Sequence, residues 1–152
     1  IVGFGGVGRR LAELLSAFHT RIVATDMFPV DKPLYVDDLW PAERLDDLLR
    51  RVDIVVLALP LNDSTRSMVN ASALAKMKRG ALLVNVARGP LVVEADLVAA
   101  LREEHLAGAA LDVTDPEPLP AASPLWEMAN VIITPHVGGQ SAWRADNMTE
   151  LF

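Results

Sequence analysis

Apolar residues along this chain recur with two periods, and segments of one period alternate with segments of the other. Behind a hydrophobic start at Ile1-Val2, the positions Val7, Leu11, Leu14, Leu15 and Phe18 fall at helical spacing and predict an amphipathic helix with one apolar stripe. Arg21-Ile22-Val23-Ala24-Thr25 is short and β-branched, predicting a strand that ends in Asp26. Pro41 to Arg50 predicts a second helix with Leu45, Leu48 and Leu49 inward, and Asp53 to Leu59 reads as a continuous apolar strand of the kind buried on both faces. Ala71 to Lys78 is a short helix closed by Gly80, a residue suited to a left-handed position, and Ala81 to Val86 is the next strand. Glu94 to Glu104 puts Leu97, Val98 and Leu101 on one face; Ala109 to Val113 and Val131 to Thr134 are the last strands, and a further helix starts near Ser141. About six strands with intervening helices predict one α/β domain over residues 1–152, a doubly wound parallel sheet of the Rossmann type.

The turn between the first strand and the first helix carries chemistry. Gly3-Phe4-Gly5-Gly6-Val7-Gly8 fits G-x-G-x-x-G, and Asp26 follows 18 residues after Gly8. In this pattern the first glycine permits the tight turn, the second lets backbone N–H groups approach a pyrophosphate, and the third lets the helix pack closely on the sheet. The positive helix N-terminus then faces the phosphates. A carboxylate at the end of the next strand can accept hydrogen bonds from the adenosine ribose hydroxyls while its charge repels a 2′-phosphate, so Asp26 favours NAD over NADP. The alternative for Asp26 is a strand-ending residue that begins a turn before Pro29.

Composition narrows the class. At 152 residues and 51% hydrophobic, the chain can bury one substantial core, and no apolar run is long enough for a membrane span. A net charge of −6, with 14 scattered Lys and Arg, argues against a nucleic-acid surface. No cysteine is present, which excludes disulfides and thiolate chemistry and fits a cytoplasmic setting. No metal site is expected. The chain begins at Ile1 without an initiator Met and stops at Phe152 inside a predicted helix, so it is expected to be a piece of a longer protein, truncated at both ends.

In a parallel α/β sheet, ligands sit beyond the carboxyl ends of the strands. Here those ends carry Asp26, Pro60, Arg88, Asp112 and His136 in turn, five candidates on one rim. Any one of them taken alone could be only a turn former or helix cap. His136 follows Thr134-Pro135 and precedes Gly138-Gly139, whose missing side chains leave room for a ligand ring; His19 and His105 lie past helix ends, as solvated imidazoles do.

Taken together, GFGGVG, Asp26, NVARGPLVVEADLVAAL, ALDVTDPEPLP and ITPHVGG resemble the nucleotide-binding domain of the D-isomer-specific 2-hydroxyacid dehydrogenases, over essentially the whole chain. The resemblance implies an oxidoreductase that transfers a hydride between NAD(H) and a small D-2-hydroxy or 2-oxo acid. It assigns the catalytic arginine of NVARG to Arg88, the glutamate of EPLP to Glu117 and the histidine of TPHVGG to His136. Cofactor contacts carry over to Gly3, Gly5, Gly6, Val7, Gly8, Asp26, Pro60, Thr65, Val86, Ala87, Arg88, Asp112, His136, Gly138 and Gly139. In these roles His136 is the general acid, and the base in reverse; Glu117 orients its ring and favours its protonated form. Arg88 holds the substrate carboxylate or polarises the carbonyl with its planar fork. Asp112 faces the nicotinamide end, or else is a structural strand-end carboxylate.

Glu117 argues against formate dehydrogenase chemistry, in which relatives pair the histidine with a glutamine. Asp115-Pro116 and Gln140-Ser141-Ala142-Trp143 depart from the family pattern and bear on substrate identity, whereas Trp126 is expected to pack and Trp143 to pack or reach a partner subunit. The resemblance further implies a homodimer, and a second, substrate-binding domain in segments flanking this one, so that residues 1–152 alone are expected to be inactive. The same family also includes corepressor-like proteins that use NAD(H) binding to control assembly; motifs do not separate the two.

Overall fold

The computed structural model describes residues 1–139, and parallel pairing organises them. In chain order the elements are α1 (Gly6–Ser16), β1 (Val23–Asp26), β2 (Asp38–Pro41), α2 (Leu45–Arg51), β3 (Ile54–Leu57), α3 (Ala71–Lys76), β4 (Ala81–Asn85), α4 (Glu94–Arg102), β5 (Leu106–Leu111) and β6 (Val131–Ile133). β1 pairs with β2, and β3, β4, β5 and β6 pair in that order, every pairing parallel. Val2 joins the two groups by bridging Thr25 on one side and Leu57 on the other. Its N–H donates to the Val56 carbonyl at 2.8 Å, its carbonyl accepts from Ala58 N–H at 2.8 Å, and Gly3 N–H donates to Thr25 O at 2.9 Å. The result is one continuous parallel sheet of Rossmann type, whose strands all deliver their carboxyl ends to one edge.

Two apolar cores lie on opposite faces of this sheet. Consecutive strand residues point to opposite sides, and Val23 belongs to one core while Ala24 belongs to the other. The larger core joins Leu48 and Leu49 of α2, Leu74 of α3 and Leu97 and Leu101 of α4 to Val55, Leu57, Leu83, Ala109 and Leu111 of the strands. The smaller gathers Ala12 of α1 with Ile1, Phe4, Ile22, Ala24 and Val36. Helices on both faces make the sheet doubly wound, as the alternating periods predict.

The differences from expectation have physical causes. The strand expected at Ile1 is a single bridge at Val2, and β2, a four-residue edge strand ending in a proline, has no counterpart in the periodicity because DLWP carries no alternation. On α1 only part of the expected stripe packs inward: Leu11 and Leu15 lie half-buried against the smaller core, Val7, Leu14 and Phe18 are exposed, and the fully buried residues are Gly8 and Ala12. The helix sits too close for anything larger, since a Cβ at Gly8 would lie 2.2 Å from the Gly3 carbonyl oxygen. β3 is buried on one face only, with Ile54 at 52% exposure beside a fully buried Val55. The expected helix over Pro41 to Arg50 divides into a 3-10 turn (Ala42–Arg44) and α2, and β5 begins three residues before the predicted Ala109. Near its start only glycine fits at position 108, because a Cβ there would meet the Asn130 carbonyl oxygen at 2.5 Å. The helix expected from Ser141, and the Gln140–Trp143 departures, lie outside the described residues.

Candidate active site

The glycine run builds the first part of the rim. Gly3 holds φ +91°, and a Cβ there would lie 2.5 Å from Ala58 O, so the turn out of the first bridge accepts no side chain. Gly5 caps α1 in an extended conformation with no side-chain cap bond, and the first turn contains no acidic residue. Side chains built at Gly5 and Gly6 would meet nothing within 4 Å, which leaves the uncapped N–H groups of the first turn facing open space. That is a cradle for an anionic group held by backbone donors and the helix dipole, and it fits the pyrophosphate of a dinucleotide. Asp26, at the end of β1, shapes the same loop: its Oδ2 accepts from Phe4 N–H at 2.6 Å and its Oδ1 from Phe28 N–H at 2.9 Å. Each oxygen keeps a lone pair for a ribose hydroxyl.

Beyond β3, Pro60 is exposed on the rim, whereas Thr65 is 6% exposed. The Thr65 hydroxyl donates to Pro60 O at 2.9 Å and accepts from Asn62 N–H at 2.8 Å, so it works inside its own loop and sets where Pro60 stands. After β4, Val86 and Arg88 are exposed and Ala87 is buried between them. Asn85 explains this loop. It is 1% exposed; its amide donates to Arg88 O at 2.9 Å and its Oδ1 accepts from Ala87 N–H at 3.1 Å, so one buried side chain folds the backbone that presents Arg88. One guanidinium nitrogen of Arg88 donates to Ala87 O at 2.6 Å, which leaves most of the fork free. Gly89 then lets this loop press against the exit of β5, because a Cβ there would lie 1.9 Å from Thr114 O.

The third part joins the ends of β5 and β6. Glu117 Oε2 lies 2.9 Å from His136 Nδ1, and Thr114 N–H donates to Glu117 Oε1 at 3.0 Å. The His136 bond holds the Glu117 carboxyl below its ordinary range; burial opposes this, and the Thr114 N–H and the charges of His136 and Arg88 add to it. Asp112 accepts from the Thr134 hydroxyl at 2.5 Å, from Val137 N–H at 2.9 Å and from Gly138 N–H at 2.8 Å. Burial raises its pKa, but those three bonds and the charge of His136 outweigh burial, so the carboxyl titrates below its ordinary range. His136 sits at φ +55° between these anchors, and Gly139 beside it is open. A cavity of about 410 Å³ flanks the pair, lined by Glu117, His136, Thr134, Pro118, Leu119 and Trp126, among others. Trp126, expected to pack, is 53% exposed in that wall, with its indole N–H donating to Pro120 O at 3.0 Å.

All five strand-end candidates therefore stand on one edge, and Glu117 and His136 are in direct contact. Three residues of this region carried no assignment from the sequence: Asn85, Thr114 and Thr134. For Asn85 a signal existed, a polar residue closing the apolar run Ala81 to Val84, which must find partners when buried. His19 is exposed as expected, while His105 is half-buried with Nε2 3.0 Å from Leu74 O. Among the described residues, no group of three His, Cys, Asp or Glu could hold a metal ion, and no helix is long and apolar enough to cross a membrane.

Comparison with known proteins supplies the family. The model of the D-isomer specific 2-hydroxyacid dehydrogenase NAD binding domain matches residues 1–138. This chain belongs to that family. Among its relatives is an (S)-sulfolactate dehydrogenase of Chromohalobacter salexigens, 44% identical over 144 residues that cover 91% of this chain and 45% of the relative. Another is a glyoxylate reductase of Thermofilum pendens, 39% identical over 154 residues, 99% of this chain and 44% of the relative. A crystal structure of a D-isomer specific 2-hydroxyacid dehydrogenase from Xanthobacter autotrophicus Py2, in complex with NADPH and MES, superimposes with a TM-score of 0.90 at 41% identity, covering 98% of this chain and 62% of that one. The chain thus spans less than half the length of these curated relatives.

Proposed function

We propose that this domain is the cofactor-binding half of an NAD-dependent dehydrogenase that interconverts a small 2-oxo acid and its D-2-hydroxy acid. The observation that carries the reading is the His136–Glu117 pair, 2.9 Å apart, on the same strand-end rim as the open glycine cradle and Arg88. Bound NADH would supply the hydride. Reduction also requires a proton at the carbonyl oxygen, and His136 Nε2, the ring nitrogen that Glu117 does not engage, donates it and takes it back in the oxidation direction. Glu117, ionised over the working pH range, fixes the ring's orientation through Nδ1. Arg88 offers a planar pair of N–H donors to the substrate carboxylate, a geometry lysine cannot reproduce.

The pyrophosphate would lie against Gly5, Gly6, Val7 and Gly8, with the adenosine ribose on Asp26, and Pro60, Val86, Ala87, Gly138 and Gly139 along the nicotinamide half. The preference for NAD rests on Asp26 and on the segment directly after it, Met27-Phe28-Pro29-Val30, which contains no cation for a 2′-phosphate. Two cations of this region are engaged: Lys32, two residues on, donates from Nζ to Val36 O at 2.7 Å, and Arg9 lies over Phe4 while donating to Asp31 O at 3.3 Å. A second domain from flanking chain would close the cleft and exclude water, and the whole protein would act as a cytoplasmic homodimer.

The test uses the full-length protein: oxidation of NADH and of NADPH against glyoxylate, hydroxypyruvate, pyruvate and 3-phosphohydroxypyruvate, with His136→Ala alongside. Turnover that prefers NADH and disappears in the variant is the expected result. Retained NADH binding without turnover on any 2-oxo acid would replace the enzyme with an NAD(H)-sensing, corepressor-like protein; a preference for NADPH would remove the role given to Asp26.

A further inference from the structure

We propose that Thr134 is a positioning residue for His136, acting through Asp112; the inference rests on the reading of His136 as the acid and base. The chain leaves β6 with a last ladder bond, Thr134 N–H to Leu111 O at 3.0 Å, and then has to reverse within a few residues. Pro135 has no N–H to give, and His136 N–H turns back to Thr134 O at 3.0 Å. His136 itself is in the left-handed region at φ +55°, where a residue with a side chain stays only if its surroundings hold it. The surroundings are Asp112. Its carboxylate, 8% exposed, takes up the two N–H groups that follow His136 and the hydroxyl that precedes it.

That arrangement is a clasp closed on both sides of one histidine. Oδ1 is shared by Thr134 and Val137, and Oδ2 takes Gly138, so three of the four lone-pair sites are filled from within the loop. Gly138 is small for the same reason: a Cβ there would lie 2.8 Å from Oδ2. Asp112 is in turn tied to the Arg88 loop, because its N–H donates to Asn85 O at 2.9 Å. Two constraints of different kind therefore act on His136. Glu117 fixes a ring nitrogen, and the Thr134–Asp112 clasp fixes the backbone from which the ring is hung. The carboxylate expected to contact the nicotinamide is occupied mainly by the histidine's own loop, and among the described residues the Thr134 hydroxyl is the one side chain that bonds it.

The experiment compares Thr134→Val, which keeps the shape and removes the hydroxyl, with Thr134→Ser, which keeps the hydroxyl. In the full-length protein Thr134→Val is expected to lower kcat about tenfold or more, as loss of a hydrogen bond to a charged group does, with the NADH Kd within about twofold and Thr134→Ser near the parent. Parent kcat in Thr134→Val would overturn the proposal; so would a lost NADH affinity at parent kcat, which would make Asp112 a cofactor contact, or a serine variant as impaired as the valine. If Thr134→Val does not fold, Thr134→Ala removes the same hydroxyl and is read in the same way. A second readout needs no turnover: the His136 ring nitrogen resonances, assigned with His136→Gln, should move in Thr134→Val and return in Thr134→Ser, and unmoved resonances would overturn the clasp. A parent protein that binds NADH but reduces no 2-oxo acid would count against the dehydrogenase alone, since the resonances still decide the clasp.

Discussion

Replacing Gly89 by alanine should damage fold and chemistry together. A Cβ at this position would lie 1.9 Å from the Thr114 carbonyl oxygen, 2.2 Å from its carbon and 2.8 Å from Asp115 N. Ordinary van der Waals contact begins near 3.4 Å, so the two loops must separate by roughly 1.5 Å, and every atom in the way is backbone. Overpacking of that kind costs about 1–3 kcal/mol. For a domain of this size that corresponds to a fall in Tm of roughly 2–12 °C. The displaced loops carry Arg88 on one side and Thr114, which holds Glu117, on the other, so kcat should fall further than the loss of stability accounts for. Gly6→Ala is the counterpart. Nothing lies within 4 Å of a Cβ there, and alanine in a first helical turn is better than glycine by up to about 1 kcal/mol. It should leave Tm unchanged or raised while weakening NADH binding. Thermal unfolding with fluorescence titration of NADH measures both. Gly89→Ala melting within a degree of the parent, or Gly6→Ala melting lower than Gly89→Ala, would refute this use of close approach.

Asn85→Leu should destabilise by about 1–3 kcal/mol, since it leaves the buried Ala87 N–H without a partner and the Arg88 carbonyl with Leu91 N–H alone, at 3.3 Å; urea unfolding measures it, and a variant as stable as the parent would show that neither bond matters. Acid should act through Asp112 and Glu117, whose carboxyls titrate below their ordinary range in the folded chain. The stability they contribute is present above the unfolded carboxylate pKa of about 4 and is lost as pH falls through the lower folded values. Asp112→Asn should therefore be less stable at neutral pH and lose less on acidification, Glu117 contributing the smaller share because solvent screens it; equal slopes for parent and variant below pH of about 4 would contradict this.

The sequence was informative wherever a local rule acts alone. Periodicity located the parallel strands and the helices between them, because a strand covered by helices and an amphipathic helix each leave a pattern within a dozen residues. The rim residues could be read because strand ends coincide with polar residues. What could not be read depends on distances between segments far apart in the chain. On α1 the fully buried positions are Gly8 and Ala12, with Leu11 and Leu15 only half-buried beside them, because the helix comes so close that a Cβ at Gly8 would meet the Gly3 carbonyl oxygen. The use of Asp112 as an acceptor for Thr134, Val137 and Gly138 joins positions 22 to 26 residues apart, a contact that no period encodes. β2 leaves no pattern for another reason: it holds its place by four register pairs with β1, not by a hydrophobic signature of its own.

The Val2 bridge has a consequence for how the domain assembles. The two sub-sheets share it as their only ladder among the described residues, and its partners Thr25 and Leu57 follow 23 and 55 positions later. During synthesis Val2 can meet Thr25 first but must wait with its other edge unpaired until β3 has emerged, and closing the longer of the two loops is then the step that turns a β1–β2 pair and a four-stranded sheet into one cooperative unit. A residue made before either sub-sheet is thus among the last to complete its pairing.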